Sequence, residues 1–327
     1  MRKKVLEVVD LKTHFSTRLG VTKAVDGVSF SVREAETLGL VGESGSGKSI
    51  TCLSILGLVP PPAGRIVGGK ILLNGEDLLS KSKKQMRKIR GRQISMMLQD
   101  PMTSLNPVFT IGDQVAAPIR LHQKYNRKTV RNKVLDMLRR VKIPTPEVRA
   151  KAYPHQMSGG MRQRIVGAMA LSCEPQLLIA DEPTTALDVT IQAQFLKLLE
   201  EIQKSSNLSM IVVTHDFGIV SKICDRVAVM YAGRIIEQAK IEDLFDNPKH
   251  PYTKALMNSL PEMDTRVKRL YSIEGQPPDL RNLPDGCSFA PRCSYTMEIC
   301  RKEYPHESVV EDGHTTSCWL SGSQGEA

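Results

Sequence analysis

The chain has 327 residues, 41% of them apolar and 24% charged. That balance excludes a disordered or low-complexity chain and leaves room for one large domain with an appendage, or for two domains. The net charge of +10 invites a polyanion: nucleic acid, a membrane surface or a phosphate-rich ligand.

No apolar run approaches bilayer-spanning length. Glu7 and Asp10, just behind Met1-Arg2-Lys3-Lys4, break the stretch that a signal peptide would need. A cytosolic chain is expected, and in any membrane process other subunits must supply the membrane part. Residues 5–41 alternate apolar and polar in strand fashion, as in Gly27-Val28-Ser29-Phe30-Ser31-Val32. Phe15 lies between two such strands, 33 positions before Lys48. Thr37–Val41 is an apolar strand run into Gly42-Glu43-Ser44-Gly45-Ser46-Gly47-Lys48-Ser49, with Ile50–Leu58 read as a helix behind it. This is G-x-x-x-x-G-K-[ST], a phosphate loop in its proper strand-to-helix setting. Its glycines let backbone N–H groups approach phosphate oxygens, and the helix N-terminus adds positive potential. Lys48 is expected on the β- and γ-phosphates and the Ser49 hydroxyl on Mg²⁺.

Gly69–Leu73 and Asp77–Leu79 flank the hairpin signal Asn74-Gly75. Residues 80–92 read as a basic helix: Lys81, Lys83, Lys84, Arg87, Lys88, Arg90 and Arg92 with no acid among them. A solvated face, or attraction to an anionic leaflet, explains this run better than nucleic acid, since no aromatic residue interleaves it. Ile94–Leu98 is a strand ending on Gln99, and from Pro101 to Pro154 the pattern is helical, an inserted subdomain placed at about 101–165.

Ser158-Gly159-Gly160 opens a helix over Gln163–Leu171, an anion-binding arrangement. Leu177-Leu178-Ile179-Ala180 is a buried strand ending in Asp181-Glu182. Burying two acids is costly unless a cation or a proton transfer needs them. Asp181 is expected to hold Mg²⁺ with Ser49, and Glu182 to polarise the attacking water. A helix over Ile191–Gln203 and strands at Met210–Val213 and Val227–Tyr231 complete a strand-helix alternation that argues a parallel sheet. From 248 onward the texture changes. Pro248, Pro251, Pro261, Pro277, Pro278, Pro284 and Pro291 interrupt it, and it carries Cys287, Cys293, Cys300 and Cys318, with five, six and seventeen residues between them. Four thiols in a cytosolic tail suit zinc or an iron–sulfur cluster, although the tight C-x₂₋₄-C chelate usual for zinc is absent. Cys52, Cys173 and Cys224 sit in apolar contexts and are expected to be inert.

The segment Ser158-Gly159-Gly160-Met161-Arg162-Gln163-Arg164, 23 positions before Asp181, resembles the signature of ABC-type ATPases. The resemblance implies an α/β fold: a P-loop ABC ATPase core with a mainly parallel sheet, an antiparallel β subdomain, an inserted helical subdomain and a cysteine-containing extension. The change of texture sets the boundaries: a nucleotide-binding domain over 1–247 and the extension over 248–327. It also implies that the signature grips the γ-phosphate held by a second ATPase subunit. The family usually has Gln where Met161 stands, so a polar side chain near the ribose is lost while the Ser and Gly anion site remains. Further positions match one by one. Gln99 resembles the Mg²⁺-ligating glutamine, Ala186-Leu187-Asp188 the loop crossing the dimer interface, His215 the switch histidine at the γ-phosphate, and Phe15 the aromatic on adenine.

Asp100-Pro101-Met102-Thr103-Ser104-Leu105-Asn106-Pro107, Ala180–Thr190 and His250-Pro251-Tyr252-Thr253 are similar to ATPase subunits of dipeptide and oligopeptide importers. That likeness implies ATP as substrate and Mg²⁺ as cofactor. It implies a related ATPase subunit, two membrane permeases and an external binding protein as partners, a place on the cytoplasmic face of the membrane, and no nucleic acid. Gly286-Cys287 and Pro291-Arg292-Cys293 resemble the tail of the dipeptide-type subunits, which implies a [4Fe-4S] cluster on the four cysteines, ahead of zinc. Nickel and glutathione importers share much of the pattern. A nucleic-acid-associated ABC ATPase is a rival of another class. Against it, one phosphate loop and one signature lie only 110 positions apart, from Lys48 to Ser158. A third reading makes the tail a redox or iron sensor.

Overall fold

Long alternating segments form strands here, and the strands divide between two compact units, each assembled from separate stretches of chain. The computed structural model describes residues 2–98, 100–185, 187–259 and 273–322. The first unit comprises residues 1–6, 31–37 and 72–213; the second comprises 7–30, 38–71 and 214–327. In chain order the strands are β1 (Lys4–Thr17), β2 (Gly20–Arg33), β3 (Thr37–Val41), β4 (Gly64–Leu73), β5 (Glu76–Asp77), β6 (Ile94–Met97), β7 (Leu177–Asp181), β8 (Ser209–Thr214), β9 (Arg226–Tyr231), β10 (Arg234–Lys240), β11 (Ser308–Glu311) and β12 (His314–Thr316).

In the first unit β8, β7 and β6 lie side by side and parallel, with Ile94 opposite Leu177 and Asp181 opposite Val213. Every residue of β7 and β8 is buried, as expected of parallel strands covered on both faces. Helices Ile111–His122, Arg127–Arg140, Gly159–Leu171 and Val189–Ser206 supply one apolar core with β6 and β7, built on Met97, Ile111, Val115, Leu138, Ile165, Leu178, Phe195 and Leu199. The helical stretch expected after Pro101 is therefore present. The basic segment forms a helix only over Lys83–Ile89. It buries Met86 and Ile89 and turns Arg87 and Lys88 outward, with a capping box between Ser82 and Gln85 at its start.

In the second unit β1 and β2 form a hairpin, with β4 on the other side of β1. Val8, Leu11, Val25, Val28 and Phe30 are its buried face. The strands β11, β12, β10, β9 and β3 lie side by side in that order. There β3 and β9 are parallel, with Val41 opposite Val229, while β9, β10, β12 and β11 are antiparallel. The proline-rich end of the chain thus contributes strands of its own. The pairing of β12 with β10 places Thr316 beside Glu237.

Candidate nucleotide site

The phosphate loop leaves the end of β3 and enters the helix Lys48–Ile55. Two glycines are dictated by space. A Cβ at Gly42 would stand 2.1 Å from the Met230 carbonyl oxygen, and one at Gly47, whose φ is 105°, would stand 2.3 Å from that of Ala24. Only glycine lets the backbone pass so close. Lys48 is buried, and its Nζ donates to the carbonyls of Gly42 at 2.7 Å and Glu43 at 2.8 Å. The lysine thereby braces the loop that it completes. Ser46 is buried and its carbonyl accepts from Gly233 N at 2.9 Å, whereas Ser44 and Gly45 at the tip are exposed. Ser49 and Ile50 are half-buried on the first helical turn. Phe15, half-buried near the end of β1, leans on Gly64, where a Cβ would meet its ring at 2.7 Å. His215 is exposed just after β8, ahead of a helix capped by Asp216. These positions all belong to the second unit.

The first unit holds the acids and the signature. Asp181 ends β7 and is 5% exposed. Glu182 follows in the left-handed region with φ 45°. A non-glycine residue is held there only by its surroundings, and here the Glu182 N–H donates to the Val213 carbonyl at 2.9 Å. The Thr185 hydroxyl donates to the Glu182 carboxylate at 2.9 Å and fixes its direction. Ser158 caps the helix Gly159–Leu171, accepting from Met161 N at 3.4 Å. Ser158 and Gly159 are exposed, and Gly160 and Met161 half-buried. Gly160 is glycine for a packing reason, since a Cβ would stand 2.6 Å from Cγ2 of Ile191. Asp188 is exposed and caps the helix Val189–Ser206 by accepting from Ile191 N at 3.0 Å. Gln99 and Ala186 lie outside the described residues. A cleft of about 400 Å³ opens along the helices Ile111–His122 and Arg127–Arg140, with Arg120, Arg131, Asp113 and Glu147 on its walls.

The tail corrects one expectation. Among the described residues no group of three or more Cys, His, Asp or Glu side chains is placed to hold a metal ion. Neither the [4Fe-4S] cluster nor zinc on Cys287, Cys293, Cys300 and Cys318 therefore stands. Burial pushes the Cys287 thiol up to about 11 and raises that of Cys318. Cys300 is 9% exposed, and its carbonyl accepts from Cys287 N at 2.8 Å. The Cys293 sulfur accepts from Tyr295 N at 3.4 Å. These cysteines pack a small loop-rich segment. Cys52, Cys173 and Cys224 are buried, as expected.

Three side chains packed on these motifs escaped the reading of the sequence. Tyr252 presents its hydroxyl oxygen to Glu43 N at 2.9 Å. Arg292 forms an ion pair with the Glu43 carboxylate at 2.9 Å. Gln163, 1% exposed, donates to the Pro183 carbonyl at 2.5 Å and ties the signature helix to the segment behind Glu182. The strings His250-Pro251-Tyr252 and Pro291-Arg292-Cys293 stood out in the sequence, but nothing local links them to the loop.

Residues 25–185 match the ABC transporter family, and residues 236–300 match the C-terminal region of oligopeptide/dipeptide transporters. The chain is 52% identical to the dipeptide transport ATP-binding protein DppD of Bacillus subtilis, over 99% of this chain and 96% of that protein. It is 48% identical to the oligopeptide transport ATP-binding protein AppD of the same organism, over 98% of each. Among solved structures it resembles the ATP-binding cassette MJ0796 in a dimeric post-hydrolysis state with ADP and Pi. There the TM-score is 0.64 at 25% identity, covering 72% of this chain and 98% of that one. The cassette cbiO1 from Clostridium perfringens gives 0.65 at 29% identity, covering 75% and 92%. Phosphate loop, acid-terminated strand, signature helix and tail together make this chain a member of the ABC transporter ATP-binding family, in its oligopeptide/dipeptide branch.

Proposed function

We propose that this chain hydrolyses ATP to drive the import of dipeptides and oligopeptides through a membrane transporter. The observation that carries the reading is the braced phosphate loop, Lys48 on the carbonyls of Gly42 and Glu43, in a chain whose tail is of the oligopeptide/dipeptide type. Lys48 and the loop N–H groups from Gly42 to Ile50 hold the phosphates, Phe15 receives the adenine, and His215 contacts the γ-phosphate. The oxygen donors proposed for the cation, the Ser49 hydroxyl, the Asp181 carboxylate and the Gln99 amide, are the hard ligands that Mg²⁺ takes. When bound, Mg²⁺ offsets charge on the phosphates. Glu182, its carboxylate oriented by Thr185, takes the proton of the attacking water.

Ser158, Gly159, Gly160 and Met161, together with Asp188, serve the nucleotide of a second, related ATPase subunit. Each chain has one phosphate loop and one signature, so complete sites require that pairing. We assign 1–247 to the nucleotide-binding domain and 248–327 to an extension. Two permease subunits, fed by an external binding protein, carry the cargo. The cleft lined by Arg120, Arg131 and Glu147 suits a permease helix on the cytoplasmic face of the membrane.

Glu182→Gln tests the chemistry. Turnover is expected to fall about 10²–10⁴-fold while ATP-driven pairing of subunits persists. Unchanged turnover in Glu182→Gln would remove Glu182 from the role of base.

A further inference from the structure

We propose that Arg292, from the tail, is a positioning residue of the nucleotide site: it neutralises Glu43 and holds the phosphate loop in its binding shape. The proposal deepens the reading of residues 42–49 as the ATP site and rests on it. Glu43 is an acid at the second position of a loop whose task is to surround a triphosphate. Left unpaired, its charge would repel that ligand.

The geometry removes this charge. Arg292 is 5% exposed along its side chain and grips both carboxylate oxygens of Glu43, Nη1 to Oε2 at 2.9 Å and Nη2 to Oε1 at 3.2 Å. This is the two-pronged pairing that a guanidinium makes and an ammonium does not. The remaining donors are also used. Nε donates to the Glu274 carbonyl at 3.1 Å, and Nη1 also reaches the Tyr231 hydroxyl at 3.3 Å. The guanidinium lies 5.8 Å and 5.9 Å from the ring centroids of Tyr231 and Phe289. Those rings and Tyr252 pack on one another, with Tyr231 and Tyr252 4.6 Å apart. Tyr252 takes the Glu43 N–H and Lys48 the Glu43 carbonyl. Glu43 is thus held by its side chain, its N–H and its C=O, and two of the three holds come from beyond residue 250.

The test is ATP hydrolysis and nucleotide affinity of the full chain in the assembled transporter. Arg292→Gln is expected to raise KM for MgATP about tenfold, with kcat within about twofold, because what is lost is a charge-assisted pair on the binding loop. Arg292→Gln combined with Glu43→Gln is expected to recover most of that affinity, since the uncompensated carboxylate is gone. An arginine that merely packs the tail would not be rescued by a change at Glu43. Unchanged KM in Arg292→Gln, or a double variant no better than the single, overturns the proposal. If Arg292→Gln does not fold, Arg292→Lys carries the test. It keeps the charge but not the fork and should raise KM about threefold; an unchanged KM there overturns the proposal equally. Lys48→Ala separates the two readings. If it retains nucleotide affinity, the ATP-site reading has failed; if it loses affinity while Arg292→Gln binds as wild type, only the role of Arg292 has failed.

Discussion

Gly47, Glu182 and Thr185 show how single residues set local geometry. Gly47 has a left-handed φ of 105°, and the Ala24 carbonyl stands 2.3 Å from where a Cβ would sit. Gly47→Ala must move backbone and is expected to cost more than about 1–3 kcal/mol, seen as a lowered Tm together with lost nucleotide binding. Glu182 sits at a left-handed φ of 45°, and the Thr185 hydroxyl donates to its carboxylate at 2.9 Å. Thr185→Val keeps the shape and removes the donor. It is expected to lower kcat about tenfold, the equivalent of about 1–1.5 kcal/mol for one hydrogen bond, with KM for ATP unchanged. An unchanged kcat would mean that the hydroxyl does not steer the acid.

At the scale of elements, β10, β12 and the helix Pro251–Asn258 meet on one buried cluster. The Glu237 carboxylate accepts from His314 Nε2 at 2.8 Å, Lys249 N at 2.6 Å and His250 N at 3.0 Å. Burial works against the Glu237 charge, but these hydrogen bonds outweigh it and hold its pKa below the usual carboxylate value. His250 Nδ1 caps the helix by accepting from Tyr252 N at 3.0 Å, and burial lowers the His250 pKa from 6.5 to about 4. Both groups are depressed on folding, so both contribute stability that is present at neutral pH and lost on acidification. For His250 the loss runs from about pH 6.5 down to about 4. At about 1.4 kcal/mol per pH unit this is about 3 kcal/mol. Glu237 adds its loss below the usual carboxylate range. Urea midpoints are expected to fall across that window. His250→Asn keeps a capping acceptor and does not titrate, so it should flatten the upper part of the decline. A decline of the same steepness would place its origin elsewhere.

For the whole molecule, the proposal of shared sites has a kinetic consequence. Ser158 and Gly159 are exposed at the start of their helix, where the proposal assigns them another chain's nucleotide. ATPase activity of the purified chain is expected to rise more steeply than linearly with protein concentration, and to increase on adding the related ATPase subunit. Strictly linear activity at low concentration would mean that one chain suffices.

Much of this protein was legible along the chain because its chemistry is local. The phosphate loop, the signature and the acid-ended strand are each written within a few consecutive residues, where strand, turn and helix geometry fix the local backbone. The helical stretch after Pro101 was readable for the same reason, through its apolar period. Contacts across long separations were not. Arg292 meets Glu43 over 249 positions and Tyr252 meets it over 209. No pattern of residues encodes such a meeting, because it depends on how β9 and the tail pack. The cysteines teach the converse lesson. Their number suggested a metal, but ligation depends on where side chains are placed in space, and among the described residues no such group is placed to hold one.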